Sequence, residues 1–180
     1  GSEMCIRDRN YTSTHDVNSW QGTSIELYGD AYKMLTAFTY IFPGMPLLYS
    51  GQEYDLNKRL LFFEKDDFIK KRGQTMKFLQ KLGNLKNTND ALTTGVGRAA
   101  YQSLTGLVNM NHGKENQIFA FKRTGPKNTV ILIANMSKNY AQFSMNLNGN
   151  FKNFSDGKFK KLSDSYEYVM KPWEYWILLN

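Results

Sequence analysis

Between Phe42 and Glu53 the chain reads FPGMPLLYSGQE, and the fold of the first half is organised around this segment. Residues 45–50 form a nearly continuous apolar run of strand length, which is typical of a strand buried on both faces of a parallel sheet. A helix that precedes the run must end before Pro43, because proline cannot continue a helix. Gln52 comes next, at the carboxyl end of the predicted strand.

A second strand is predicted upstream at residues 10–14, where most positions are β-branched or aromatic. It leads directly into His15 and Asp16. A titratable pair at the carboxyl end of a parallel strand is where a β/α enzyme would place its chemistry. The same pair in an ordinary turn would instead only cap the backbone.

A helix is predicted between the two strands. Thr23 and Glu26 have the spacing of a capping box, and apolar residues then recur at helical spacing as far as Phe38. The helix could instead begin at Asp30, after Gly29. Strand, helix and strand in this order predict a βαβ unit.

The hydrophobic period changes along the chain. A charged and aromatic loop runs to about Lys71, and a second helix follows with its apolar face at Met76, Leu79, Leu82 and Leu85. After Thr94 the period becomes two, and short strands separated by turns predict an antiparallel sandwich. We predict these strands at residues 117–123, 129–135, 141–147, 151–154, 158–162, 166–170 and 173–179.

The predicted domain organisation has three parts. Residues 1–9 have no periodicity that leads into the first strand, and they resemble the translation of a sequencing-library adapter, so we treat them as a non-native leader. Residues 10–92 form the β/α part, and residues 93–180 form the β-sandwich. The only cysteine, Cys5, falls in the leader, so it carries no argument about redox compartment.

Composition excludes several classes of protein. Apolar residues make up 41% of the chain, enough for a core, and no apolar run is long enough for a membrane helix. The net charge of +7 raises the question of nucleic acid. The lysines are scattered, however, and neither an arginine-rich helix nor zinc-finger spacing is present. We therefore expect neither a nucleic-acid nor a membrane partner.

These motifs together resemble family 13 of the glycoside hydrolases, the α-amylase family. Thr14-His15-Asp16 resembles its fourth conserved region, at the end of barrel strand seven, and residues 42–53 resemble its strand-eight segment. The ending at residues 171–175 is similar to the last strand of its carboxyl-terminal domain. The resemblance implies an α/β plus all-β chain: the last two β/α units of a (β/α)8 TIM barrel, then an antiparallel β-sandwich.

The resemblance also implies roles for the His-Asp pair. Asp16 would be the third carboxylate of a retaining glycosidase, which stabilises the oxocarbenium-like transition state and is neither nucleophile nor proton donor. His15 would donate a hydrogen bond to the same sugar. Thr14 departs from the family, since many members have asparagine there, and threonine lacks the second donor of the amide.

Other residues near the two strand ends are candidates for substrate contacts. Asn18 and Trp20 come after the pair and could line the sugar site, although a solvent-facing turn and a packed aromatic are equally compatible with the sequence. Lys58 and Arg59 lie in the loop after the second strand. Glu53 is expected to be a buried hydrogen-bonding anchor and not an acid catalyst.

The expected function is that of a fragment. His112, within MNHG, is expected in a structural turn. The resemblance implies a parent enzyme acting on α-1,4-glucans such as starch, with a nucleophile and an acid/base that this chain does not supply. We therefore expect the chain alone to be inactive, with no metal site or cofactor of its own, although the parent could bind calcium.

Three alternatives remain open at this stage. The β-rich half could be a non-catalytic carbohydrate-binding or stability module, with Trp173, Tyr175 and Trp176 stacking on sugars. The parent could instead be a transglycosylase or an isomerase, since such members share these motifs. Its compartment is expected to be secreted or periplasmic if it acts on polymeric glucan.

Overall fold

The computed structural model describes residues 9–94 and 97–180, and the chain divides into two compact units. The first unit runs through Thr88 and includes Thr94, and the second comprises Asn89–Thr93 and Gly97–Asn180. Of the predicted leader only Arg9 is described. Within the described ranges, no helix is long and apolar enough to cross a membrane.

The described part of the first unit contains one short parallel strand pair. Strand β1 (Arg9–Asn10) pairs with β2 (Met45–Pro46), with Arg9 opposite Met45. The parallel pairing is as predicted, but the predicted lengths are wrong. Pro46 has no N–H to donate to a neighbouring strand. The last hydrogen bond between the two segments runs from the Leu47 N–H to the Asn10 carbonyl at 2.8 Å. Arg9, which we assigned to the leader, is part of β1.

Two helices connect β1 and β2. Helix α1 (Ser24–Tyr28) starts with the predicted capping box: Thr23 Oγ1 accepts from the Glu26 N–H, and Glu26 Oε2 accepts from the Thr23 N–H. A 3₁₀ turn at Gly29–Ala31 separates α1 from α2 (Tyr32–Ile41), so the break falls at the glycine. Helix α2 ends before Pro43 as predicted.

Helix α3 (Gln74–Thr88) completes the first unit and packs against α2. Leu79, Leu82 and Leu85 are buried, which confirms the predicted apolar face. Lys86 Nζ donates to the Tyr40 carbonyl at 3.3 Å and fastens the end of α3 to α2.

The second unit begins before the predicted boundary. A 3₁₀ turn at Asp90–Leu92 packs on the sheet of this unit. The Asp90 carboxylate accepts the backbone N–H groups of Lys127 at 2.8 Å and Asn128 at 3.0 Å, which ties the turn to a hairpin of the sheet.

The second unit is built from two antiparallel sheets. Among the described residues, one sheet has six strands in the order β3-β5-β6-β11-β8-β9, and the other has three in the order β10-β7-β4. The strands are β3 (Ala100–Ser103), β4 (Val108–His112), β5 (Ile118–Thr124), β6 (Thr129–Asn135), β7 (Ala141–Met145), β8 (Gly149–Asn153), β9 (Phe159–Leu162), β10 (Glu167–Met170) and β11 (Tyr175–Leu179).

Side chains from both sheets form the core of this unit, and the predicted sandwich is confirmed. Phe143 of β7 is fully buried beside Tyr168 of β10 and Trp176 of β11, with ring centroids 5.6 and 6.3 Å away. Strands β3 and β4 were not predicted, because their residues are largely exposed and carry little apolar alternation. His112 ends β4, so its assignment to a turn is wrong.

Candidate functional site

The His-Asp pair lies on a helical turn. After Asn10 the chain leaves the extended conformation, and His15 and Asp16 begin a helical segment that continues as a π-helical turn, Val17–Gln21. The pair is therefore near the carboxyl end of β1, but the prediction that it directly ends a strand is wrong. The reason is that a side-chain hydrogen bond to the backbone stabilises the first turn of a helix here, in competition with the extended conformation.

Thr14 supplies that cap. Its hydroxyl accepts the Val17 N–H at 3.3 Å, and its carbonyl accepts the Asn18 N–H at 2.8 Å. This is the geometry of an N-cap residue, which satisfies donors that the first helical turn leaves open. Thr14 therefore starts the turn that carries His15 and Asp16.

Both side chains of the pair face solvent. The His15 side chain is 64% exposed and that of Asp16 is 65% exposed, with His15 Nε2 3.5 Å from Asp16 Oδ2. A side-chain contact this exposed contributes little to stability. The arrangement is suited to a ligand instead, because it offers a carboxylate acceptor and an imidazole next to each other.

Asn18 occupies a different environment. Its side chain is 5% exposed, its Oδ1 accepts the Leu60 N–H at 2.7 Å, and its Nδ2 donates to the Lys58 carbonyl at 3.3 Å. Ser19 Oγ donates to the Leu60 carbonyl at 2.7 Å. Asn18 therefore holds the loop after β2 against the turn after β1, with both polar atoms of its amide bonded to that loop.

Arg59 is brought to the same region by this loop. Its side chain is half exposed, and its Nε donates to Glu26 Oε2 at 2.9 Å. The backbone N–H of Thr23 and then the Arg59 guanidinium lower the pKa of Glu26. The ion pair lies over Gly22, where a Cβ would be 3.1 Å from Glu26 Oε2 and 3.4 Å from Arg59 Nη2.

Lys58 is engaged within its own loop. Its Nζ pairs with the Asp66 carboxylate and donates to the Asp67 carbonyl at 3.1 Å. Asp66 also accepts the Leu61 N–H at 3.1 Å, and the hydrogen bond from Lys58, followed by that from Leu61, lowers the pKa of Asp66. Lys58 therefore closes its own loop.

Trp20 belongs to an exposed group of rings. It is 63% exposed, and its ring centroid lies 5.4 Å from that of Phe62. Phe62 also contacts His15, with centroids 5.3 Å apart, and Phe63 at 4.7 Å. Sequence reasoning missed Phe62 and Phe63, although two adjacent aromatics in a charged loop were a usable signal.

The buried anchor behind the site is Gln52. It is 7% exposed, its Nε2 donates to Thr12 Oγ1 at 2.8 Å and to the Tyr32 hydroxyl at 3.2 Å, and its Oε1 accepts the Tyr49 N–H at 2.6 Å. Glu53, predicted as the anchor, is partly exposed and accepts the Gly51 N–H at 3.0 Å. Gln52 thus links the segments that follow β1 and β2.

A metal site would require several ligand side chains close together. Within residues 9–94 and 97–180, no three His, Cys, Asp or Glu side chains come close enough to do so. His112 belongs to the second unit, at the end of β4.

Comparison with solved structures identifies the fold. A maltogenic α-amylase from Thermotoga neapolitana matches 96% of this chain with a TM-score of 0.72 and 14% identity, and the chain spans 41% of that protein. The chain has the fold of part of an α-amylase. A trehalose-6-phosphate hydrolase from Bacillus licheniformis matches 99% of the chain with a TM-score of 0.62 and 14% identity, over 46% of its own length.

A third match carries a ligand. The α-amylase from Geobacillus thermoleovorans, solved with acarbose, matches 97% of the chain with a TM-score of 0.60 and 17% identity, over 38% of its own length. No protein-family model and no curated protein matches the sequence. At these identities the likeness establishes the fold alone, and the chain spans less than half of each of the three proteins.

Proposed function

We propose that this chain is the carboxyl-terminal part of a family 13 glycoside hydrolase that acts on α-1,4-glucans. The first unit would be the last two β/α units of a TIM barrel, and the second unit its carboxyl-terminal domain. The observation that carries the proposal is the parallel pairing of β1 with β2. It puts His15-Asp16 and the loop of Arg59 at the same edge of the sheet, where a barrel enzyme forms its active site.

In this proposal the exposed carboxylate of Asp16 would contact sugar hydroxyls and stabilise the charge that develops on the ring in the transition state. His15, beside it, would donate a hydrogen bond to the same sugar. Arg59 would border the site, held in position by Glu26, and Asn18 would position the loop. The matched α-amylase solved with acarbose supports a glucan-type ligand.

Residues outside this chain would supply the rest of the reaction. A retaining mechanism needs a nucleophile and an acid/base about 5–5.5 Å apart, and the parent protein would provide them, together with any calcium site. We therefore expect the purified 180-residue chain to release no reducing ends from starch. Detectable release that Asp16→Asn abolishes would contradict this expectation.

The parent protein allows the direct test. Asp16→Asn is isosteric and removes the charge, so kcat on maltoheptaose should fall by roughly 10²- to 10³-fold, the loss typical of removing one electrostatic contact to a transition state. Asp164→Asn, an exposed carboxylate in the second unit, is the matched control and should leave kcat unchanged. Unchanged kcat in the Asp16 variant would refute the proposed role.

The alternative that the second unit is a sugar-binding β-module is weakened by the burial of Trp176. Trp176 was among the rings expected to stack on sugars, but it is only 8% exposed and packs in the core. Burial also raises the pKa of Tyr175 to about 12. A transglycosylase or isomerase parent, by contrast, stays open, as does a secreted or periplasmic location.

A further inference from the structure

We propose that residues 69–72, here called the basic loop, are a site of limited proteolysis by a serine protease that selects lysine and arginine. The basic loop reads IKKR and comes shortly before helix α3. Cleavage is hydrolysis: water adds across the peptide bond after a basic residue, which leaves a carboxylate on that residue and an ammonium group on the next. The cut separates the segment with the His-Asp pair from α3 in the covalent chain. The glucan ligand plays no part in this proposal.

The backbone of the basic loop is accessible along its whole length. Ile69 is 86% exposed, and residues 70–72 are exposed as well. Within the part of the chain that the structure describes, the basic loop belongs to no helix or strand, and its backbone makes no hydrogen bond to other backbone groups. A protease binds its substrate as an extended strand through such backbone groups. Exposed loops of this kind are therefore preferred sites of nicking.

Both ends of the basic loop are fixed to the same turn of the first unit. Before the loop, the Phe68 ring packs on that of Tyr54, with centroids 6.2 Å apart. After the loop, Thr75 Oγ1 donates a hydrogen bond to the carboxylate of Asp55, the residue that follows Tyr54. The basic loop is therefore held at both ends by adjacent residues. A segment held in this way loses less conformational entropy when it enters a protease cleft.

The charge of the basic loop selects the class of protease. A trypsin-like specificity pocket carries an aspartate that binds a lysine or arginine side chain. Residues 70–72 are three consecutive cations, so three registers of the loop each place a cation in such a pocket. Lys65 is exposed in the same irregular segment, but it lies between Glu64 and Asp66. Their negative charges disfavour binding to an acidic pocket, so the basic loop is the better substrate.

Basic residues within regular structure are protected by their backbone hydrogen bonds. Lys122 and Arg123 lie in β5, which pairs with β6 on one side and β3 on the other. Lys77 and Lys81 lie within α3. A helix or a paired strand must open before its backbone can enter a protease cleft, and this opening costs free energy. The basic loop carries no such cost, so we expect the first cut there.

The test is limited digestion of the whole 180-residue chain with trypsin, with the fragments identified by mass spectrometry. The first cut inside residues 11–180 should fall after Lys70, Lys71 or Arg72 and divide the chain into two fragments. A variant that combines Lys70→Gln, Lys71→Gln and Arg72→Gln should form these fragments about tenfold more slowly or less, because a pocket built to bond a cation rejects a neutral side chain. Circular dichroism verifies the fold of each variant.

Lys65→Gln is the matched control, because it removes one exposed cation from the same irregular segment. It should change the rate of the first cut by less than about twofold, since Lys65 is not the preferred residue for the pocket. Three outcomes would overturn the proposal: a first cut after a basic residue elsewhere in residues 11–180, an unchanged rate in the triple variant, or a folded wild-type chain that trypsin does not divide.

Discussion

The two units are stabilised in different ways. In the first, the described strands are two residues long, and the loops around the site are held by side-chain bonds to distant backbone, such as Asn18 to Leu60. In the second, nine described strands form two antiparallel sheets around one apolar core. The candidate site therefore lies in the unit whose loops depend on a few polar contacts, where local opening costs least.

The largest effect is expected from the core of the second unit. Phe143→Ala removes a fully buried ring that packs on Tyr168 and Trp176, so the free energy of unfolding of this unit should fall by about 3–5 kcal/mol. Urea unfolding followed by far-UV circular dichroism measures it. Phe159→Ala is the exposed control in the same unit and should cost under about 0.5 kcal/mol; a similar cost for both variants would refute the role of Phe143 in the core.

A smaller and local effect is expected from Asn18. Asn18→Ala removes the partners of the Leu60 N–H and the Lys58 carbonyl, at a cost of about 1–3 kcal/mol. Hydrogen exchange at the Leu60 amide should accelerate while amides of β5 and β6 do not change. Asn18→Asp keeps the acceptor for Leu60 and should have an intermediate effect. Acceleration across both units would show that the loop is not a separate element.

The smallest effect is a dependence on pH. The pKa of Glu26 is lowered from its usual value of 4.5, first by the Thr23 N–H and then by Arg59. The stabilisation of the folded state by ionised Glu26 is therefore fully present above the unfolded-state pKa of Glu26. It is lost as the pH falls through the lower pKa of Glu26 in the folded state. Hydrogen exchange near α1 should increase in that window. Glu26→Gln should remove this pH dependence, and an unchanged profile in the variant would exclude Glu26 as its cause.

Helix starts, helix ends and buried helix faces were predictable from the sequence where a single local interaction determines them. The Thr23–Glu26 capping box, the end of α2 before Pro43 and the apolar face of α3 each depend on neighbours in the sequence. Most strands of the second unit were predictable because one face of each must be buried. Strand β4 was missed, because it is mostly polar and its pairing with β7 comes from a partner distant in sequence.

The site was predictable only in part. The spacing of His15-Asp16 from residues 42–53 predicted a candidate site at this pair. The cap by Thr14, the commitment of Asn18 to Leu60 and the anchoring role of Gln52 depend on the three-dimensional position of backbone groups. The spacing of residues along the sequence does not indicate which backbone carbonyl or amide a side chain will bond.

The amino-acid sequence was sufficient to predict most of the helices and strands, the change from a β/α part to an all-β part, and the His15-Asp16 pair as a candidate. These depend on periodicity, proline and capping, which act over a few residues. Three-dimensional coordinates were needed to show that Phe62 adjoins His15, that Arg59 pairs with Glu26 and that Trp176 is buried. Contacts of that kind join residues far apart in the chain, and folding brings them together only when the core and the loop anchors form.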